Sequence, residues 1–131
     1  MFALDTNVLV RYIAQDDRRQ AALAVRFIEN ELSAESRGYV SLVALLETVW
    51  VMESRYEADR PTVVGILNDL LDTACLEVQD AESVRDATAH YRDGGVDLHD
   101  ALIASLAGKR GAQVVTFDKK AARKLGMTVL K

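Results

Sequence analysis

Four acids, Asp5, Glu47, Asp100 and Asp118, are the residues of this sequence best placed to do chemistry together. Asp5 follows the apolar run Met1-Phe2-Ala3-Leu4, and Asp118 follows Gln113-Val114-Val115-Thr116-Phe117. Both read as acids at strand tips, and ligands of parallel α/β sheets bind beyond the carboxyl ends of the strands. Asp100 falls in the first turn of a helix opened by Asp97. Glu47 lies about one and a half turns into a helix that starts after Ser41, beside its apolar stripe. Converging carboxylates repel one another and raise each other's pKa, and a hard divalent cation removes that cost. Mg²⁺ and Mn²⁺ prefer oxygen ligands and keep waters. No matching histidine or cysteine cluster favours zinc. Such a site activates water and polarises a phosphodiester, with one ion or with two about 4 Å apart.

Each of these residues also has a simpler use. Asp5, Asp100 and Asp118 suit helix caps or first turns, which favour acids, and Glu47 suits a solvated helix face. Asp97 reads first as an N-cap, with the metal site's border as its second use. Thr6 and Thr116 stand next to candidate acids, where their hydroxyls orient a carboxylate or a bound water, or tie down a turn. Asn7 fixes Asp5 or caps the first helix. His99 reads as an exposed or packing histidine near a helix start, not as a general base. Arg11, Lys119 and Lys120 lie beyond two acidic tips, as contacts to the phosphates of a nucleic-acid backbone or as a solvated face. Trp50 and Tyr56 are core residues or part of a partner surface.

The elements that position these residues alternate. Residues 2–4 read as a first strand, and residues 8–13 as a short helix. Ala21, Ala22, Val25, Ile28 and Leu32 give helical spacing over 18–32. Tyr39-Val40 is a second strand. Ser41 caps a long helix over 42–57, and Pro61 opens another, carrying Val63, Val64, Leu67, Leu70 and Leu71. Residues 75–78 are a third strand, followed by a helix over 81–92. Asp93-Gly94-Gly95 is a break, and Asp97 then caps the helix holding Asp100. Residues 113–116, 119–125 and 127–130 read as strand, basic helix and strand. Short apolar strands between helices predict a mainly parallel sheet with helices on both faces.

Composition sets the outer bounds. At 131 residues, half of them apolar, the chain fits a single domain, 1–131, with a real core. Cys75 is the lone cysteine, so no internal disulfide forms, which suits a reducing cytoplasm. No apolar run is long enough for a membrane span, and the N-terminus does not read as a signal peptide. The net charge of −4 argues against a non-specific nucleic-acid binder but not against a nuclease, whose carboxylates await a cation.

Four segments in order, "LDTNVLV", "SLVALLETVW", "DLHDALIA" and "VVTFDKK", resemble the PIN domain family. The resemblance implies a three-layer α/β/α fold and places the family's acidic quartet on Asp5, Glu47, Asp100 and Asp118, with Thr6 and Asn7 matching the residues after the first acid. Asp5 and Asp100 match the most dependable metal ligands. Small PIN proteins of this kind resemble the VapC toxins of toxin–antitoxin pairs. That likeness implies an Mg²⁺- or Mn²⁺-dependent endoribonuclease that cuts tRNA or rRNA and stops translation. It also implies a homodimer whose active groove is covered by a small antitoxin, with operator DNA bound only through that antitoxin. The hairpin at 42–72 is then the dimer and antitoxin surface. Leu98 and His99 depart from the family's usual aromatic and small residues. Lys119 and Lys120 stand where a further acid often follows, which weakens any second metal site. Alternatives are a PIN nuclease of RNA processing and a catalytically silent PIN scaffold. A haloacid-dehalogenase-like phosphatase with Asp5 as nucleophile fits worse, because Asn7 stands where those enzymes need a second aspartate.

Overall fold

A computed structural model describes residues 1–131. It contains five short strands, all paired in parallel, and seven α-helices that flank them. This is the α/β/α fold class of three layers expected from the alternation of elements. The chain forms two compact units, Met1–Ala81 and Glu82–Lys131. No helix is long and apolar enough to cross a membrane.

The first unit opens with β1 (Phe2–Ala3), α1 (Thr6–Ala14) and α2 (Arg18–Arg26). The chain runs on from α2 through a π-helical turn, Phe27–Glu31. Then come β2 (Gly38–Val40), α3 (Leu42–Arg55), α4 (Arg60–Asp72) and β3 (Leu76–Val78). The sheet order is β1-β2-β3, with Phe2 opposite Gly38 and Gly38 opposite Leu76. The central strand is buried at both ends, at Gly38 and Val40, as a parallel strand covered on both faces must be.

Gly38 has a packing reason to lack a side chain. A Cβ there would stand 2.8 Å from Leu32 Cδ1, 3.2 Å from Leu76 Cδ2 and 3.3 Å from Leu4 Cδ1. All three leucines are buried and have little room to yield. Overpacking outweighs the entropy that a methyl group saves in the unfolded chain, so Gly38→Ala destabilises by about 1 kcal/mol. A denaturant titration with unchanged m-value reads this directly.

Two side chains fix the start of α3. Ala44 N–H donates to Ser41 Oγ at 3.2 Å, and Leu42 N–H donates to Gln79 Oε1 at 2.9 Å. These satisfy donors that a helix N-terminus otherwise leaves bare. Leu45, Thr48, Val49 and Met52 form its buried face. Thr48 donates its hydroxyl to Ala44 O at 2.7 Å, which makes its deep burial tolerable. Asp59 caps α4 by accepting from Thr62 N–H at 2.9 Å.

An acid also ties the end of α3 to the end of α1. Tyr56 donates to Asp16 Oδ2 at 2.7 Å, and Arg11 Nη1 reaches Asp16 Oδ1 at 3.3 Å. The Tyr56 hydroxyl holds the Asp16 carboxyl below its ordinary pKa, and the carboxylate in turn raises the phenol. A depressed carboxyl contributes stability above its unfolded pKa and loses it as pH falls through the folded one. Melting temperatures of wild type and Tyr56→Phe therefore differ near neutral pH and converge in acid, below the ordinary aspartate range.

The second unit holds α5 (Ala81–Asp93), α6 (Leu98–Lys109), β4 (Val115–Thr116), α7 (Lys119–Leu125) and β5 (Thr128–Val129). Residue 81 begins α5 at the boundary between the units. β4 and β5 pair in parallel, with Val115 opposite Thr128. Val84, Ala87, Tyr91, Leu98, Ala101 and Leu102 are buried. Ser105 of α6 donates its hydroxyl to Asp86 of α5. Gly126 ends α7 with φ +71°, a left-handed geometry that glycine adopts without strain.

Candidate metal centre

The start of α6 concentrates ligand atoms. Asp97 occupies the N-cap with extended backbone, and Ala101 N–H donates to its carbonyl at 3.1 Å. Its carboxylate makes no capping hydrogen bond. Leu98, Ala101 and Leu102 are buried and anchor the first turn. This leaves Asp97 and His99 exposed and Asp100 half-buried. One ligand atom from each of Asp97, His99 and Asp100 lies within 4.8 Å of the other two. His99 Nε2 stands 3.4 Å from Asp100 Oδ1. That separation is close to the span of one ion's ligand sphere, whose oxygens stand about 2 Å from the metal. The positive end of the helix dipole partly offsets the repulsion between the two carboxylates.

The donor set fits a hard divalent ion. Two carboxylates suit Mg²⁺ or Mn²⁺, and an imidazole shifts preference toward Mn²⁺. His99 is exposed, as its sequence position suggested, but its ring belongs to the cluster. The pattern Asp-x-His-Asp over one helical turn was the available signal. All three positions fall on the same N-terminal turn, so the cap at Asp97 and the acid at Asp100 point their heads to one place. Of the two uses open to Asp97, cap and border of a metal site, its backbone serves the first and its carboxylate is free for the second.

The other sequence candidates occupy distinct settings. Asp118 precedes α7, where its Oδ1 accepts from Ala121 N–H at 2.9 Å. Thr116 Oγ1 accepts from Asp118 N–H at 3.0 Å, so this hydroxyl shapes the turn that presents the acid. Asp118 is not part of the cluster at α6. Asp5 lies beyond the end of β1 and is exposed; it is the N-cap of α1 through its carbonyl, which accepts from Val8 and Leu9 N–H. Its side chain makes no capping bond. Thr6, next to it, is buried. Glu47 is exposed on the face of α3 opposite its buried stripe, between Val43 and Trp50.

Residues 2–125 match the PIN domain family. The chain belongs to that family. No curated protein matches the sequence. In this PIN domain, the fold and the Asp97-His99-Asp100 cluster together support a metal-dependent nuclease activity in general.

Proposed function

We propose that this PIN domain is an Mg²⁺- or Mn²⁺-dependent endoribonuclease that acts as the toxin of a toxin–antitoxin pair. The observation that carries the reading is the cluster of Asp97, His99 and Asp100 at the start of α6. Asp100 and Asp97, with His99, would hold the ion there, and Asp5, Glu47 and Asp118 are the further acids of the family's set. A bound divalent ion supplies Lewis-acid polarisation of the phosphodiester and a more acidic water. The chain's own residues orient. Asp5 presents a carboxylate not used in capping, and Thr116 fixes the turn before Asp118. Arg11, Lys119 and Lys120 supply cations for RNA phosphates.

The toxin reading implies protein partners, and α3 offers them a surface. Val43 and Trp50 are 79% and 64% exposed on the same face as Glu47. Large apolar side chains displayed together suit a buried interface, and tryptophan is enriched at interface centres. A homodimer contact and a small antitoxin would use this face.

The test is end-mapped cleavage of total cellular RNA by the purified protein, with Mg²⁺, with Mn²⁺ and with chelator. Discrete cuts in tRNA or rRNA that vanish with chelator and in Asp5→Asn support the nuclease. Induced expression that stops translation, reversed by a small co-encoded protein, supports the toxin role. Cutting confined to precursor RNAs, without growth arrest, replaces it with RNA processing.

A further inference from the structure

We infer that the groove between α5 and α6 is a second cation site, which takes zinc through Asp86 and His90. The inference goes beyond the nuclease reading and does not rest on it. The groove is lined by residues of the second unit and has a volume of about 480 Å³. Asp86 and His90 line it from α5, one helical turn apart, and Ser105 lines it from α6. Ala104 and Gly108 of α6 leave the space open, because neither carries an atom beyond Cβ.

The geometry of the pair suits one ion. His90 Nε2 stands 3.9 Å from Asp86 Oδ1, too far for a hydrogen bond. Two zinc ligands, each about 2.1 Å from the ion, stand about 3.4 Å apart in a tetrahedron. Both side chains are exposed, so a small rotation of either brings them onto one ion. The carboxylate is already oriented. Ser105 donates its hydroxyl to Asp86 Oδ2 at 2.5 Å, which leaves Oδ1 free to ligate. Such a bond from behind is the usual way a ligating carboxylate is held. Charge favours a cation as well. The ammonium of Lys109 lies 3.9 Å from Glu82 Oε2, so it answers the other acid of the lining.

The groove also contains an unanswered hydroxyl. Ser83 lines it, is 2% exposed, and its Oγ has no hydrogen-bond partner. A serine within a helix commonly bonds the carbonyl four residues back. Here α5 begins at Ala81, so the carbonyl of Gln79 lies outside the helix. An ion with two protein ligands keeps waters, and one of them supplies the partner that Ser83 lacks. The imidazole selects the metal class, since nitrogen ligands suit zinc and not Mg²⁺. The paired carboxylates of Asp97 and Asp100 suit the harder ion.

His90 and His99 are the two histidines of the chain, so their imidazole ¹⁵N signals report the two sites separately. Zinc is titrated into the full chain in excess Mg²⁺, for wild type and for the Asp97→Asn/Asp100→Asn double variant. The His90 signals shift and saturate in both proteins. Asp86→Asn abolishes that saturable shift. Ser105→Ala weakens zinc binding at His90 about tenfold, and Ser105→Thr restores it. Backbone amide spectra confirm that each variant is folded. His90 signals that stay in place up to millimolar zinc overturn the site. A shift undiminished in Asp86→Asn overturns the paired ligation, and one suppressed by Mg²⁺ overturns the zinc assignment. Unchanged affinity in Ser105→Ala overturns the positioning role of that hydroxyl. None of these readings depends on RNA cleavage, so loss of the nuclease reading leaves them standing.

Discussion

On the ribonuclease reading proposed above, Asp100→Asn is expected to lower RNA cleavage about a thousandfold and to leave the fold intact. Removal of a ligand that holds a metal costs several kcal/mol of transition-state stabilisation, which sets that scale. Stability responds little, for two opposing reasons. The variant loses a favourable charge in the first turn of α6, worth about 0.3–1 kcal/mol. It also relieves repulsion from Asp97, whose carboxylate lies within 4.8 Å. The melting temperature therefore stays near the wild-type value while the rate collapses. His99→Ala behaves differently. The ring is exposed and supplies one donor beside two acids, so its loss costs about tenfold and narrows the preference for Mn²⁺ over Mg²⁺. Initial rates across a titration of each metal measure both effects. An Asp100→Asn protein that still cuts at the wild-type rate removes α6 from the metal site.

Much of the fold was legible because local rules and tertiary packing agree. The helix over 119–125 was read at its observed limits, since Asp118 caps it and Gly126 ends it in a left-handed conformation. Ser41, Asp59 and Pro61 marked helix starts for similar reasons. Disagreement arises where backbone hydrogen bonding, not side-chain spacing, decides the element. Residues 18–32 keep helical apolar spacing, but the ladder shifts to a π turn at Phe27–Glu31, where Leu32 N–H donates to Phe27 O. Period alone does not register such a shift. The strand at 113–116 shrinks to Val115–Thr116, because only those residues face partners on β5. The division near residue 81 left no trace either, since no glycine- or proline-rich linker accompanies it.

The candidate site was legible in part for the same reason. Asp5 and Asp100 announce themselves by ending an apolar run or opening a helix. The grouping of Asp97 and His99 with Asp100 depends on which rotamers the first turn of α6 allows, and a sequence does not state that. Glu47 shows the limit from the other side. The spacing of Leu42, Leu45, Leu46 and Val49 set it beside the core stripe, and the structure puts it on the open face with Val43 and Trp50. That setting frees its carboxylate from packing and exposes it to ligand or partner.

Leu45→Ala and Glu47→Gln, two residues apart on α3, separate the scaffold from the chemistry. Leu45 is 1% exposed and packs on the buried face, so truncation to alanine removes buried methyl groups and leaves a cavity. The expected loss is about 2–5 kcal/mol, a large share of a small domain's stability. Glu47 is exposed, and an isosteric amide there changes stability by about 0.5 kcal/mol at most. Activity responds in the reverse order. Glu47→Gln keeps its shape and loses its charge, and cleavage falls about 10- to 1000-fold if the carboxylate serves the metal or its water. Leu45→Ala, assayed well below its lowered melting temperature, keeps most of its cleavage per folded molecule, because Ser41 and Gln79 still fix the start of the helix. Thermal melts and single-turnover cleavage on the same preparations give both quantities. Full activity in Glu47→Gln makes this acid part of the partner surface with Trp50 and removes it from the catalytic set. Loss of activity in Leu45→Ala under folded conditions shows instead that the inner face of α3 sets the position of Glu47 as well as holding the core.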